Sequence, residues 1–190
     1  GALPVGAGAP DGGREDAVID QKVSDAMRLA MRAHGAQQYG KHPHALPYVA
    51  HLGHVVAVLT RFGVTDADLL AAGWLHDTLE DTALTERELQ EATNARITRT
   101  VRLVTNGVGK NRRERQTAMF DAFHNATSRE RADAAIVKVS DRIANVEAAI
   151  LSGSTLFKMY QSEHAVFRAH LRNDLPGGPM EYLSVILDVP

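Results

Sequence analysis

Apolar residues recur at three- and four-residue spacing along nearly the whole chain. Val23, Ala26, Leu29, Ala30 and Ala33 form one such series and predict an amphipathic helix over residues 18 to about 38. Pro47 suits the first position of a second helix, which runs to about residue 62. Thr65 suits an N-cap, and Asp66 and Asp68 favour the positive end of a helix that the pattern carries through Leu79. Thr85 and Glu88 have the spacing of a capping box and open another helix. Further helices fit residues 95–105, 112–125, 129–151, 154–171 and 180–187. Strand-like alternation is scarce. The pattern therefore predicts an all-α domain, a bundle of about eight to ten helices over residues 14–190. Residues 1–13 hold five glycines and two prolines and are expected to form a disordered tail.

One stretch breaks the pattern. In "AAGWLHDTLEDT", residues 71–82, an apolar run ends abruptly in His76, Asp77, Glu80 and Asp81. Burying an unpaired charge costs several kcal/mol, so either the segment turns outward or something compensates the charge. Asp141 poses the same problem, because it sits among Ala134, Ala135, Ile136, Val137, Val139, Ile143, Ala144 and Val146. His51, early in the second helix, is a further candidate. Together His51, His76, Asp77 and Asp141 offer two imidazoles and two carboxylates, a mixed donor set suited to Mn²⁺, Fe²⁺ or Zn²⁺. Taken singly, a His-Asp pair is more often a cap, Asp141–Arg142 a surface ion pair, and Glu80–Asp81 a solvated helix end. The case rests on the combination.

Composition narrows the reading further. Net charge is −2 and the pI about 6.5, unlike the basic footprint of a nucleic-acid binder. No apolar run is long enough to span a bilayer, so no membrane partner is expected. The chain has no cysteine, which excludes disulfides and thiolate metal sites and fits a cytoplasmic protein. Nine histidines against ten aromatic residues direct attention to metal chemistry.

The segments "AHGAQQYG", "LPYVAHLGHVVAVL", "AAGWLHDTLEDTALTERELQ", "RLVTNGVGKNRRER" and "VKVSDRIANVEA" resemble the hydrolase domain of the RelA/SpoT family. That family belongs to the HD-domain metal-dependent phosphohydrolases, with ligand order His…His-Asp…Asp, and the resemblance is strongest to its small alarmone hydrolases. It covers about residues 25–170 and implies an HD-domain helical bundle. It also implies a metal ion, Mn²⁺, on His51, His76, Asp77 and Asp141, with Glu80 and Asp81 orienting and activating the attacking water. Asn145 would position the substrate near the metal. Lys138 and Arg142 match family positions beside the last ligand, and Lys110, with Arg112 and Arg113, would face substrate phosphates. A solvated helix start is the competing reading for these last three.

The implied reaction is hydrolysis of the 3′-diphosphate of (p)ppGpp-like nucleotides, releasing pyrophosphate. Two departures bear on the base. Tyr39 stands where the family usually has Arg, and "KHPHA" lengthens the connection before the Pro-Tyr pair, adding His42 and His44. A tyrosine ring stacks on purines but lacks a guanidinium's hydrogen-bonding fork. Tyr39 as a substrate-binding residue thus predicts relaxed purine selectivity, extending to (p)ppApp. The alternatives are an HD-type nucleotidase or a phosphatase for another phosphorylated nucleotide such as NADPH, and a non-catalytic helical binding module. The ligand set argues against the last.

Overall fold

The computed structural model describes residues 12–40 and 45–189, with side chains from residue 21 onward. Most of the expected tail lies outside the described residues, but Gly12 and Gly13 already belong to the first helix, α1 (Gly12–His34). His42 and His44 also lie outside them.

α1 stops earlier than its pattern suggests, where Gly35 takes a positive φ of 52°. The chain then forms a hairpin that two-residue strands made illegible: β1 (Gln38–Tyr39) pairs antiparallel with β2 (Leu46–Pro47), Tyr39 opposite Leu46. Pro47 is the N-cap of α2 (Tyr48–Arg61) instead of its first residue. The next cap also differs from expectation. Asp66, not Thr65, caps α3 (Ala67–Leu75), because its carboxylate accepts from the backbone N–H groups of Asp68 and Leu69.

A short α4 (Thr78–Asp81) and α5 (Glu86–Ala92) follow, the latter opened by the Thr85–Glu88 capping box. Asn94 caps α6 (Ala95–Val104) and Asn111 caps α7 (Arg112–His124). A second capping box, Thr127–Glu130, opens α8 (Ser128–Ser152), which ends on left-handed Gly153. α9 (Leu156–Leu171), a 3₁₀ turn (Arg172–Asp174) and α10 (Pro179–Leu187) complete the described residues. Among the described residues, ten α-helices and one minimal hairpin make an all-α fold, as the periodicity indicated.

α8 is the axis of the bundle, packed against α2, α6, α9 and α10. Its buried residues include Ala134, Ala135, Val137, Val139, Ile143, Ala144 and Val146, so the helix is apolar on most of its circumference and must sit inside. This placement carries Asp141 into the interior. α2 and α3 close on each other at Gly73, where an added Cβ would lie 2.6 Å from Leu59 Cδ1. The two helices run antiparallel, and the Trp74 ring over Gly53 sets the end of α3 beside the first half of α2. Fully buried Leu52, Leu59 and Leu75 consolidate it at about 1.5–3 kcal/mol each.

Candidate metal centre and active-site pocket

The pattern predicts one helix through Leu79, but the structure breaks it at His76 and Asp77. Side chains displace the regular ladder here. His76 Nδ1 bonds the Gly73 carbonyl at 2.8 Å, and the Thr78 hydroxyl donates to the Leu75 carbonyl at 2.7 Å. Adjacent residues on an unbroken helix diverge by about 100°. The break lets His76 and Asp77 turn toward the same point.

His51, on the first turn of α2, meets them there. His51, His76 and Asp77 each offer a ligand atom, and these atoms all lie within 4.8 Å of one another. His76 Nε2 is 3.0 Å and His51 Nε2 3.5 Å from Asp77 Oδ2. Asp141 enters from α8, its Oδ1 3.4 Å from His51 Nε2 and 3.6 Å from His76 Nε2. The four residues read from the sequence as one donor set therefore converge.

The donor set fits a divalent cation. A carbonyl can only accept, so His76 Nδ1 carries its proton toward Gly73 and Nε2 presents a lone pair to the cluster in the neutral ring. That Nε2 is fully buried and makes no aligned hydrogen bond, although Asp77 is close enough to attract it. Without an ion, the cluster draws positive charge as protons. Burial opposes charge on His76, but Asp77 and Asp141 outweigh it and push its pKa up to about 10. His51 is raised as well, burial being overcome by the same two carboxylates. Burial likewise pushes Asp77 and Asp141 upward, yet both stay below the usual carboxylate range. His76 and His51 hold Asp77 down; Lys138 acts first on Asp141, followed by the imidazoles.

A second layer surrounds the donors. Asn145, one turn after Asp141, donates its amide to Asp141 Oδ1 and accepts from the Tyr39 hydroxyl at 2.8 Å. The Tyr39 ring lies parallel to His51, with centroids 4.5 Å apart. Tyr48, on the same helix face as His51, has one hydroxyl proton shared between Asp77 Oδ2 at 2.7 Å and Asp81 Oδ2 at 2.9 Å. Its ring stacks on buried His34. Glu80 is fixed by Asn106, from its backbone N–H at 3.1 Å and its side-chain amide at 2.9 Å. The Asp81 carboxyl is raised, by burial first and then by the charges of Asp77 and Glu80.

The pocket extends from this cluster to a wall formed by α7, α8 and α9. Arg112, Gln116, Phe120, Lys138, Arg142, Tyr160 and Phe167 line that end. Arg112 places Nε and Nη2 on Glu163 at 2.7 and 3.1 Å, and Arg142 Nη1 lies 3.1 Å from the same carboxylate. Lys138 donates to the Val104 carbonyl at 2.9 Å and sits 3.5 Å from Asp141.

Comparison with known proteins places this geometry. The model of the HD-domain family matches residues 26–173. The chain belongs to the HD-domain family. Among relatives of this HD domain, the human guanosine-3′,5′-bis(diphosphate) 3′-pyrophosphohydrolase MESH1 is 34% identical over 127 residues, covering 66% of this chain and 68% of the human protein. The zebrafish (Danio rerio) protein of the same name is 29% identical over 123 residues, covering 64% of this chain and 66% of that protein. The chain thus matches about two thirds of the length of these relatives. A solved metazoan orthologue of SpoT, described as hydrolysing ppGpp, superposes with a TM-score of 0.70 at 22% identity, over 96% of this chain and 97% of that one. This superposition shows a shared fold.

Within the HD domain, the sequence-predicted residues separate into two groups. His51, His76, Asp77, Glu80, Asp81, Asp141, Asn145, Tyr39, Lys138, Arg112 and Arg142 all belong to one pocket or its donor cluster. Lys110 does not line it: it precedes the Asn111 cap, and its backbone N–H bonds Glu114. Arg113 is likewise absent from the lining, because the face of α7 turned inward carries Arg112, Gln116, Met119 and Phe120. Sequence reasoning missed Tyr48, Asn106, Gln116, Tyr160 and Glu163. Tyr48 had a signal, three residues before His51 and so on its helix face. The other four reach the site through tertiary pairing that no local pattern displays.

Proposed function

We propose that this HD domain is a metal-dependent 3′-pyrophosphohydrolase of (p)ppGpp-like alarmones, with Mn²⁺ as its ion and activity extending to (p)ppApp. The observation that carries the reading is the convergence of His51, His76, Asp77 and Asp141 beside the Glu80–Asp81 pair in one pocket. The relatives' named activity on guanosine 3′,5′-bis(diphosphate) supports it. The two imidazoles and two carboxylates would hold the ion, which would offset phosphate charge and act as a Lewis acid.

The chain's own groups supply proton handling and orientation. Asp81, its carboxyl raised, takes a proton from the attacking water. Water oxygen bonds the phosphorus attached to the ribose 3′-oxygen. The bond from that phosphorus to the 3′-oxygen breaks, the Glu80–Asp81 pair returns a proton to that oxygen, and pyrophosphate leaves intact. Tyr48 keeps Asp81 in register with Asp77, and Asn106 keeps Glu80 in place. Asn145 fixes Asp141 and, through Tyr39, the His51 ring.

The test is product analysis. Protein loaded with Mn²⁺, Zn²⁺ or Fe²⁺ is incubated with ppGpp, ppApp and NADPH. The expected result is intact pyrophosphate in equal amount with GDP or ADP, fastest with Mn²⁺. Orthophosphate release from NADPH with no pyrophosphate from either alarmone would replace this reading with a phosphatase.

A further inference from the structure

The chain has nine histidines, and the donor cluster takes only two of them. Two others meet at the surface. His124 is in the last turn of α7 and His170 in the last turn of α9. His124 Nε2 lies 2.7 Å from His170 Nδ1, with the ring centroids 5.1 Å apart and the planes tilted by 41°. The residues are 46 apart in sequence, so only the packing of α7 and α9 joins them. Neither ring makes another side-chain hydrogen bond among the described residues.

The two rings are held unequally. His170 lies parallel to the ring of Phe120, centroids 4.0 Å apart, and Phe120 is buried and lines the pocket. His124 is exposed and can turn about its side-chain bonds. Burial first, and then the neighbouring His124, hold the His170 pKa below its ordinary value, against the opposing pull of Asp121. His170 is therefore neutral near pH 7, the form in which an imidazole ligates metal. A neutral imidazole carries its one proton on either nitrogen. With both protons on the outer nitrogens, His124 Nε2 and His170 Nδ1 present two lone pairs to one point.

We propose that His124 and His170 form a second divalent-cation site, apart from the four-donor cluster, which takes an imidazole-preferring ion of the Zn²⁺, Ni²⁺ or Cu²⁺ class and ties the end of α7 to the end of α9. Imidazole suits these ions, whereas Mn²⁺ and Mg²⁺ favour carboxylate and water oxygens. A tetrahedral ion with Zn–N bonds of about 2.0–2.1 Å sets its nitrogens about 3.3 Å apart. The separation of 2.7 Å opens to that distance by a small rotation of exposed His124, while His170 stays on Phe120. Water completes the coordination shell. Asp121, one turn before His124, adds a negative charge that favours a cation there. With two protein donors against four, this site is the weaker, so its occupancy follows the concentration of free ion. Phe120 and Phe167 line the pocket, and His170 stacks on the first and follows the second by one turn, so an ion at the pair braces that wall from outside.

The probe is zinc alone, titrated into the full chain. Equilibrium dialysis with elemental analysis counts bound Zn²⁺ against free Zn²⁺. The natural chain should fill a tight site and then a weaker one. His124→Gln and His170→Gln should each weaken the second site by more than about tenfold, since losing even a partner that orients a ligand costs 10–100-fold in metal affinity. Both variants should keep the tight site. His124 is exposed, so its replacement spares the fold, and the zinc-free Tm of each variant checks this. NMR locates the ion: the ring resonances of His124 and His170, assigned from the two variants, should move together as the weaker site fills. Undiminished zinc at the weaker site in both variants, or zinc binding that leaves both rings unmoved, would overturn the proposal. The pair would then be a hydrogen bond that fastens α7 to α9. No step of the test uses nucleotide hydrolysis, so its outcome is independent of the function proposed above.

Discussion

The two ends of the pocket are built in different ways. At the metal end, donors come from α2, the α3–α4 break and α8, and each donor residue is held by a neighbour. His76 is held by Gly73, Asp77 by Tyr48, Asp141 by Asn145, and the His51 ring lies against Tyr39. At the α7–α9 wall, one carboxylate, Glu163, gathers Arg112, Gln116 and Arg142 at the rim of the bundle. Rigidity suits the first end, because a divalent ion demands fixed donor positions. The second is looser, because two guanidiniums share one carboxylate there. Removing a group at the metal end should therefore cost chemistry, and at the wall it should cost binding.

The largest effect tests the first half of that contrast. Asp77→Asn removes a ligand charge shared by both imidazoles and Tyr48. Activity should fall below detection and most bound metal should be lost, as read by elemental analysis. Full metal occupancy in this variant would undo the ligand assignment. Next comes Glu80→Gln. Glu80 is no part of the donor cluster, and its amide replacement can still engage Asn106. Metal should be retained while turnover drops roughly 10²–10⁴-fold, the usual scale for a general acid or base. A drop under about tenfold, with metal kept, would make the Glu80–Asn106 contact purely structural.

The same contrast explains what could be read from sequence. His76 and Asp77 are adjacent, and Asp141 is a charge stranded in an apolar helix, so both stood out against their own neighbourhoods. The helix break between α3 and α4 did not, because neither Gly nor Pro marks it. His76 and Thr78 cause it by taking carbonyls of the preceding turn. The Asp66 cap was misplaced by one residue because two capping-type side chains are adjacent and only geometry decides which reaches the amides. The wall was half legible. "GKNRRER" announces basic residues, but Asn111 sets the start of α7 and so decides that Arg112 faces inward while Lys110 and Arg113 do not. Glu163 lies 51 residues from Arg112 and gave no local sign.

A third prediction uses pH to sharpen the description of the metal end. In the metal-free chain, His76 holds its proton to about pH 10, well above the ordinary 6.5. That contribution to stability is complete below about 6.5 and is lost as pH rises through about 10. Asp77 and Asp141 are depressed, so their contribution is present above about 3.8 and fades only in stronger acid. A cation must displace the imidazole protons, so its affinity should strengthen from about pH 6 to about pH 9. At an ion concentration about 100 times Kd, the loaded protein gains about 2.7 kcal/mol, or about 5–10 °C in Tm. The Tm gap between loaded and metal-free protein should therefore widen with pH across that window. A gap that narrows would mean that protons do not occupy the cation's place.

The smallest expected effect concerns Tyr39, which stands between the two ends. Its hydroxyl is committed to Asn145 and one ring face to His51, so it has little left with which to read a base. An aromatic ring stacks on any purine, with about 1–3 kcal/mol per base and little discrimination. The kcat/KM values for ppGpp and ppApp should thus lie close together in the natural protein. Tyr39→Arg supplies donors that favour the acceptor edge of guanine, and should shift the ratio toward ppGpp by about 1–3 kcal/mol. Tyr39→Phe is the control. It keeps the stack on His51 but frees Asn145, so Asp141 loses part of its support. Both substrates should then slow by about 0.5–1.5 kcal/mol, roughly two- to twelvefold, with their ratio unchanged. If Tyr39→Arg slows both substrates equally, as Tyr39→Phe should, the residue belongs wholly to the support of the metal end. A shift in the ratio alone would place it among the residues that choose the base.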